Sequence, residues 1–272
     1  MKNPGAAKAS KIASEFERRA ARAEDLLRGA PAAEEPLRFA AGLYRAQGRV
    51  AASLEAAHAE DPFSGHCEAD AERLVERAAP IVRYAAESGP ATLSEQACAR
   101  QRDLPATARA RLCVYWAGDL AATEDYLSRA ILRPYVELLR SVNRPPDRVH
   151  RSGRCPFCGG APWMAARREG STMEGAKRVL VCALCGGEWL FARILCPSCL
   201  EQNPERLPSF SAPAHPTVRI EACETCRRYV KSIDLSEDAR PIPEVDDLVS
   251  LSMDLWALEQ GFARIEPGIA GL

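Results

Sequence analysis

Eight of the eleven cysteines in this 272-residue chain fall into four pairs, each with two residues between its sulfur-bearing positions. The pairs are Cys155–Cys158, Cys182–Cys185, Cys196–Cys199 and Cys223–Cys226. Twenty-three residues separate the first pair from the second, and again the third from the fourth. The first and third pairs are 41 positions apart, as are the second and fourth, so a ligand frame repeats although the residues between do not. A two-residue spacer lets one tight turn aim both sulfurs at an ion, with metal–sulfur bonds near ~2.3 Å, and a second such turn closes a tetrahedron. The pattern is a zinc-site template with a lengthened connecting loop. It predicts one tetrathiolate site from Cys155, Cys158, Cys182 and Cys185, and another from Cys196, Cys199, Cys223 and Cys226. An interleaved pairing would need crossing connections. Thiol–disulfide exchange accounts for one CxxC pair, but poorly for four in repeated register.

Gly159 and Gly186 each follow the second cysteine of a pair in the first site, where a residue without Cβ lets backbone N–H groups approach sulfur, as in rubredoxin knuckles. Leu200 and Arg227 hold those positions in the second site, so its knuckles are expected to be less ideal and its ion more labile. Tetrahedral sulfur ligation suits both iron and zinc, and the rubredoxin-like turns favour iron. A site closed by four thiolates leaves no position for water or substrate, which argues against metal-assisted hydrolysis. The chain also lacks a Gly-rich phosphate loop, a G-x-S-x-G turn and a meaningfully spaced carboxylate pair. No enzyme activity is expected.

Residues 1–149 read as all helical, because Ala and Arg dominate and apolar residues return at helical spacing. Ile12, Phe16, Ala20, Ala23 and Leu27 make one face, and Leu37, Ala40, Ala41, Tyr44 and Gln47 another. Further stretches at Glu68–Ala86, Ala106–Ala117 and Thr123–Val142 bring the total to five or six helices, enough for a bundle that buries its own core. Asp61–Pro62, Gly89–Pro90 and Pro145–Pro146 punctuate them. After Pro145-Pro146-Asp147 the cysteines cluster and short β-leaning runs appear at Arg178–Val181, Trp189–Ile194 and Val218–Glu221. From Pro241 the pattern is helical again, with Leu248, Leu251, Ser252, Leu255, Leu258 and Phe262 on one face. Asp246 and Asp247 sit in its first turn, where carboxylates favour the helix dipole. The predicted architecture is α+β: a helical domain over 1–149, a first CxxC ribbon over 150–195, a second over 196–240, and an amphipathic C-terminal helix over 241–272 that packs on the rest.

Charge sharpens the picture. The whole chain carries a net −1, which demands neither nucleic acid nor an anionic membrane. Between Arg151 and Lys231 there are 12 Lys and Arg against 7 Asp and Glu, a surplus of +5. Two divalent ions, each held by four thiolates, would contribute −2 apiece and leave roughly +1. Aromatic and basic residues are not interleaved, so a nucleic-acid-binding zinc ribbon is the weakest reading. No apolar run approaches the ~18 residues that span a bilayer. Met1–Arg28 has no apolar signal core, and charged residues follow Arg18–Arg19, which reads as helix surface rather than a twin-arginine signal. The expected compartment is the cytoplasm, where thiols stay reduced.

The remaining candidates read as structural. Cys67, Cys98 and Cys113 stand alone and are expected as small buried apolar residues. His58, His66, His150 and His215 show no ligand spacing, and His215 is assigned to a surface loop. Trp163, Trp189, Phe191 and Tyr229 are expected to pack the small ribbons, and Arg167–Arg168 and Arg227–Arg228 to be solvated, with docking of an acidic partner as the lesser alternative.

Several local signatures accompany the tandem frame. Cys155-Pro-Phe-Cys158-Gly159 runs into Gly160-Ala161-Pro162, and Cys182–Cys185 into Glu188-Trp189; Arg193-Ile194-Leu195 precedes Cys196, and Tyr229-Val230-Lys231 follows Cys226. In these runs, and in Asp246–Leu251 with Glu259–Arg264, the chain resembles the formate dehydrogenase accessory (formation) protein family, FdhE. Weaker echoes lie at Arg38–Leu43 with Gln47 and at Val114–Ala117. The resemblance implies a cytoplasmic, non-catalytic assembly factor that binds iron through its cysteines. It also implies action on the molybdenum-containing catalytic subunit of respiratory formate dehydrogenase before export, and is compatible with a homodimer. The residues alone leave open a rubredoxin-like redox or oxygen-sensing protein.

Overall fold

The computed structural model describes residues 10–118, 125–169 and 176–271. Helices come first and strands follow. Seven helices occupy the described N-terminal half: α1 (Lys11–Leu27), α2 (Glu34–Glu60), α3 (Cys67–Arg77), α4 (Ala79–Ser88), α5 (Ala91–Arg100), α6 (Pro105–Ala117) and α7 (Tyr126–Ser141). Ser10 caps α1, its hydroxyl accepting from the Ala13 N–H at 3.0 Å. The α1 face formed by Ile12, Phe16, Ala20 and Ala23 is buried, as is the α2 face of Leu37, Ala40, Ala41, Tyr44 and Gln47, and the two helices pack on each other. The stretch read as one helix over Glu68–Ala86 is two, because Pro80 cannot donate its missing N–H and instead sits in the first turn of α4. Helix α5 buries little more than Ala97, so it has almost no apolar period to read. The expected start of α7 at Thr123 lies outside the described residues. From Leu127 to Leu139 this helix is buried on every side, including Arg129, Arg133 and Glu137, which recur one turn apart.

The strands are β1 (Pro162–Arg168), β2 (Lys177–Cys182), β3 (Glu188–Leu190), β4 (Ser209–Ala212), β5 (His215–Cys223), β6 (Arg228–Asp234) and β7 (Ala263–Arg264). They form one sheet of order β3-β2-β1-β6-β5-β4, with β7 also on β6. Each CxxC segment builds an antiparallel set, and the parallel pairing of β1 with β6, from Met164↔Lys231 to Arg167↔Asp234, welds the two sets together. The two tandem modules therefore share a sheet rather than standing as separate small ribbons.

The C-terminal segment is broken into α8 (Pro243–Asp246), a 3₁₀ turn over Asp247–Ser250, and α9 (Leu251–Glu259). The tighter turn advances the phase of the residues that follow. Leu248 and Phe262 are buried as the amphipathic reading expects, but Leu255 and Leu258 are 52% and 44% exposed, and α9 instead buries Met253, Asp254 and Ala257. The cause is electrostatic. Asp247 and Asp254 turn inward to meet a buried lysine and arginine, and the leucines rotate outward. Among the described residues, no helix is long and apolar enough to cross a membrane.

Candidate metal centres

Each cysteine pair forms the same tight turn. The N–H of the residue after the second cysteine donates to the carbonyl of the first: Gly159 to Cys155 at 2.8 Å, Gly186 to Cys182 at 3.2 Å, Leu200 to Cys196 at 2.9 Å and Arg227 to Cys223 at 2.9 Å. All four of those residues are left-handed, with φ of 68°, 63°, 64° and 54°. Leu200 and Arg227 thus adopt the glycine conformation despite their side chains. Such strain costs of order 1–3 kcal/mol and persists only where the surroundings over-determine it. The second site's knuckles, expected to be less ideal, keep the geometry of the first.

The turns bring the sulfurs together as two quartets. Cys155, Cys158, Cys182 and Cys185 form one, Cys196, Cys199, Cys223 and Cys226 the other, and within each quartet every sulfur lies within 4.8 Å of the rest. The Sγ–Sγ distances are 3.6 Å for Cys155–Cys185, 3.5 Å for Cys158–Cys182, 3.8 Å for Cys196–Cys226 and 3.6 Å for Cys199–Cys223. Four sulfurs about 2.3 Å from a central ion must sit roughly 3.8 Å apart, so both quartets have the dimensions of a tetrathiolate cage. Backbone N–H groups point at the sulfurs from Leu184 and Cys185 to Cys182, and from Ser198 to Cys196, at 3.4–3.5 Å.

Protonation explains why such a cage takes a cation. Hydrogen bonds from Cys158, Cys182 and Cys185 hold the Cys155 thiol far below its ordinary range. The bond to Cys155 pushes Cys158 up, and burial pushes Cys182 up. Burial likewise raises Cys196, while hydrogen bonds from neighbouring backbone and thiol groups outweigh burial and lower Cys223. Thiols packed this closely resist ionising together, and a divalent cation is what makes the fully deprotonated quartet favourable.

The surroundings of the two quartets differ. The first is sealed: its four cysteines are 3% exposed or less. Its knuckles dock on the helices, with Gly186 against Arg19 and Glu137, and a Cβ on Gly160 would lie 2.7 Å from the Cys182 sulfur. The second faces outward, with Cys196 and Cys223 buried, Cys226 half-buried and Cys199 exposed.

Two buried squares of charge hold the layers in register. In the first, Arg19 and Arg133 each pair with both Glu137 and Glu244, at 2.7–2.9 Å, tying α1 and α7 to α8. Burial pushes Glu244 up, but Arg19 and Arg133 outweigh it and hold its carboxyl at about 2. In the second, Lys231 and Arg264 each pair with both Asp247 and Asp254, at 2.6–3.3 Å. Tyr229 adds a hydroxyl donated to Asp254 at 2.8 Å. Asp247 is held at about 2, since Arg264 and Lys231 overcome the effect of its burial. Helical spacing alone assigns Asp246 and Asp247 to the helix dipole and does not single out the members of either square. Asp246 instead accepts from the Ile242 N–H and pairs with Arg22. One signal was present: Lys231 falls on the inward beat of β6 between Tyr229 and Ile233, where a charge must find a partner.

The lesser candidates are settled by position. His215 is not in a loop but opens β5, at the end of the strand opposite Cys223, and meets the Ser252 hydroxyl at 3.0 Å. Cys67 and Cys113, read as solitary, lie with sulfurs 3.9 Å apart between α3 and α6. Trp163 packs under the guanidinium groups of Arg129 and Arg133 and donates to Asp247 at 3.3 Å. Arg167 and Arg168 face Asp234 and Glu188, and Arg227 lies over the Phe262 ring.

The fold and its two quartets define a class: a helical protein joined to a fused double CxxC ribbon able to hold two metal ions. Residues 194–269 match the family model described as FdhE, C-terminal domain. The chain is 36% identical over 117 residues to a "Protein FdhE homolog" of Aquifex aeolicus, covering 43% of this chain and 41% of that one. It is 31% identical over 156 residues to the homolog of Pseudomonas putida, covering 55% and 48%. The matched stretches thus span less than half the length of these curated relatives. The crystal structure of the FdhE protein from Pseudomonas aeruginosa superposes with a TM-score of 0.64 over 94% of this chain and 95% of that one, at 24% identity, and shows a shared fold. By sequence the chain is similar to FdhE proteins through the C-terminal domain, and over most of its length it shares the fold of the Pseudomonas aeruginosa FdhE protein.

Proposed function

We propose that the chain is a non-catalytic, metal-carrying accessory protein for the assembly of respiratory formate dehydrogenase, and that it binds the catalytic subunit of that enzyme before export. Its ligands would be Cys155, Cys158, Cys182 and Cys185 at one ion, and Cys196, Cys199, Cys223 and Cys226 at the other. The helical domain over 1–149, the ribbon modules over 150–195 and 196–240 and the closing segment over 241–272 would act as one rigid unit in the cytoplasm. The observation that carries the reading is closure: each quartet offers four sulfurs to one point, leaving no coordination position for a substrate. A centre of that kind shapes a surface rather than performing hydrolysis. The test is co-purification with the catalytic subunit under anoxic conditions. Retention by the wild-type chain is expected, and its absence ends the proposal.

A second reading has one observation in its favour. Cys199 is exposed and Cys226 half-buried, so electrons could reach an iron ion in the second quartet, as a redox or oxygen-sensing role requires. Iron-loaded protein purified without oxygen would then change its visible spectrum on addition of dithionite. A spectrum indifferent to reductant dismisses this role.

A further inference from the structure

The face of the sheet turned away from Lys231 carries an arginine on each of four neighbouring strands. In sheet order these are Arg178 on β2, Arg167 on β1, Arg228 on β6 and Arg219 on β5; the register sets Arg167 opposite Arg178 and Arg228 opposite Cys223. Side chains alternate between faces along a strand, so this row is separate from the inward beat that buries Tyr229, Lys231 and Ile233. Like charges placed directly opposite one another destabilise a sheet unless something anionic lies between them.

Two cavities adjoin along this face, sharing Arg228 and Ile265. One, of about 280 Å³, opens beside the knuckles of the first quartet and is lined by Arg148, Arg151, Arg154 and Arg228. The other, of about 150 Å³, opens beside Cys196 and Cys223 and is lined by Arg167, Arg178, Arg193 and Arg219. Two carboxylates reach the trough, and both are already engaged: Glu266 with Arg129 at 2.8 Å and Glu221 with Arg178 at 2.6 Å. Arg148 is tied to the Trp116 carbonyl at 2.9 Å, and Arg193 donates to the Ala176 carbonyl. Arg151, Arg154, Arg219 and Arg228 make no side-chain hydrogen bond or ion pair with any described residue. Four guanidinium groups therefore face the trough without a hydrogen-bonded or paired carboxylate, Arg154 feeling Glu266 and Arg219 feeling Asp234 only at longer range.

We propose that this trough is a docking site for an acidic stretch of polypeptide, laid across the sheet from the first quartet to the second. Both cavities are lined by arginine and by no lysine, and the planar guanidinium fork matches a carboxylate with two parallel hydrogen bonds. Nucleic acid fits less well. Its bases need exposed rings to stack on, and the aromatic residues lining the trough, Tyr115 and Trp116, are buried. The inference does not depend on which complex the chain serves, because capture of an acidic peptide and retention of a catalytic subunit are separate readouts.

The probe is a dye-labelled ten-residue peptide alternating glutamate with serine, titrated with the metal-loaded full chain and followed by fluorescence anisotropy. Binding is expected, weakening as salt rises from about 50 to 300 mM because exposed charges are screened. Arg151→Gln/Arg154→Gln/Arg228→Gln should bind at least about tenfold more weakly, whereas Arg18→Gln/Arg28→Gln on α1 should bind as the wild type does. The single variants Arg154→Gln and Arg219→Gln, one from each cavity, should each lose affinity while keeping metal content and Tm, which separates docking from folding. Three results would overturn the proposal: no peptide binding by the wild type, unchanged affinity in the triple and single variants, or tighter binding of a single-stranded RNA of equal charge. Arginines that serve only to balance the thiolate charge would show the second of these, with metal lost instead.

Discussion

In the first quartet all four cysteines are sealed beneath the helices, whereas in the second Cys199 faces solvent and Cys226 is half-buried. The backbone of the turns is the same in both: one hydrogen bond per knuckle and one left-handed residue after it. What differs is what presses on that residue. A Cβ on Gly159 would meet the Val149 carbonyl at 2.6 Å, and one on Gly186 would lie 3.2 Å from Arg19. Leu200 is exposed and Arg227 reaches out over the Phe262 ring, so both side chains have room and nothing but the φ angle selects against a side chain there. Glycine in the first site answers to packing more than to the turn itself. Lability is therefore expected to follow the surroundings: cages of one geometry would hold one ion locked in the core and one that solvent can reach.

That contrast is open to direct attack. The largest effect belongs to the buried cage. Cys155→Ser/Cys158→Ser should lose one ion per chain and at least about 4 kcal/mol of stability, seen as a Tm lower by roughly 10 °C, because metal binding there is coupled to folding. Cys199→Ser should also lose an ion, with a clearly smaller fall in Tm. Equal losses at the two sites would erase the distinction between them.

The charge squares behind the cages come next. Lys231→Met leaves the buried Asp247 and Asp254 with one cation, Arg264, between them, and should cost about 3–5 kcal/mol in urea unfolding. Arg168→Gln, which removes the partly exposed pair with Glu188, should cost under about 1 kcal/mol. A similar sign applies to acid. Glu244 is held at about 2 against an ordinary value of 4.5, so its contribution is complete above pH 4.5 and is lost as pH falls toward 2. Comparing wild type with Glu244→Gln across that window cancels the metal's own pH dependence. The stability difference between them should shrink by roughly 3 kcal/mol as the pH drops, and a constant difference would show that the square is not charged as described.

The smallest effects have opposite signs. Gly160→Ala pushes a methyl group toward the Cys182 sulfur and should cost about 2 kcal/mol and slow metal uptake at the first site. Leu200→Gly relieves the left-handed leucine at the second site and should gain up to about 1 kcal/mol, less whatever the freer glycine costs in the unfolded chain. If both substitutions destabilise equally, packing does not distinguish the knuckles.

The cages were legible in the sequence because ligand spacing is itself the geometry: a two-residue loop fixes where its sulfurs go. The faces of α1 and α2 were legible because α1 buries a single stripe and the apolar period of α2 falls inside the wider arc that this helix buries. The weld between β1 and β6 was not, since Met164 and Lys231 are 67 positions apart and parallel pairing leaves no local mark. Nor was the outward turn of Leu255 and Leu258, because helical periodicity counts apolar residues and misses two aspartates drawn inward by Lys231 and Arg264. The arginine row stayed hidden for a related reason. Its members are spread from Arg167 to Arg228 and become neighbours only once the two modules share a sheet.

The most direct test of two unequal cages is the time course of zinc release to a chromophoric chelator under reducing conditions. The predicted record shows two ions per chain leaving in two phases: a fast one absent from Cys199→Ser, and a slow one that keeps pace with global unfolding. A single ion per chain, or a single phase that Cys199→Ser leaves unchanged, would contradict it.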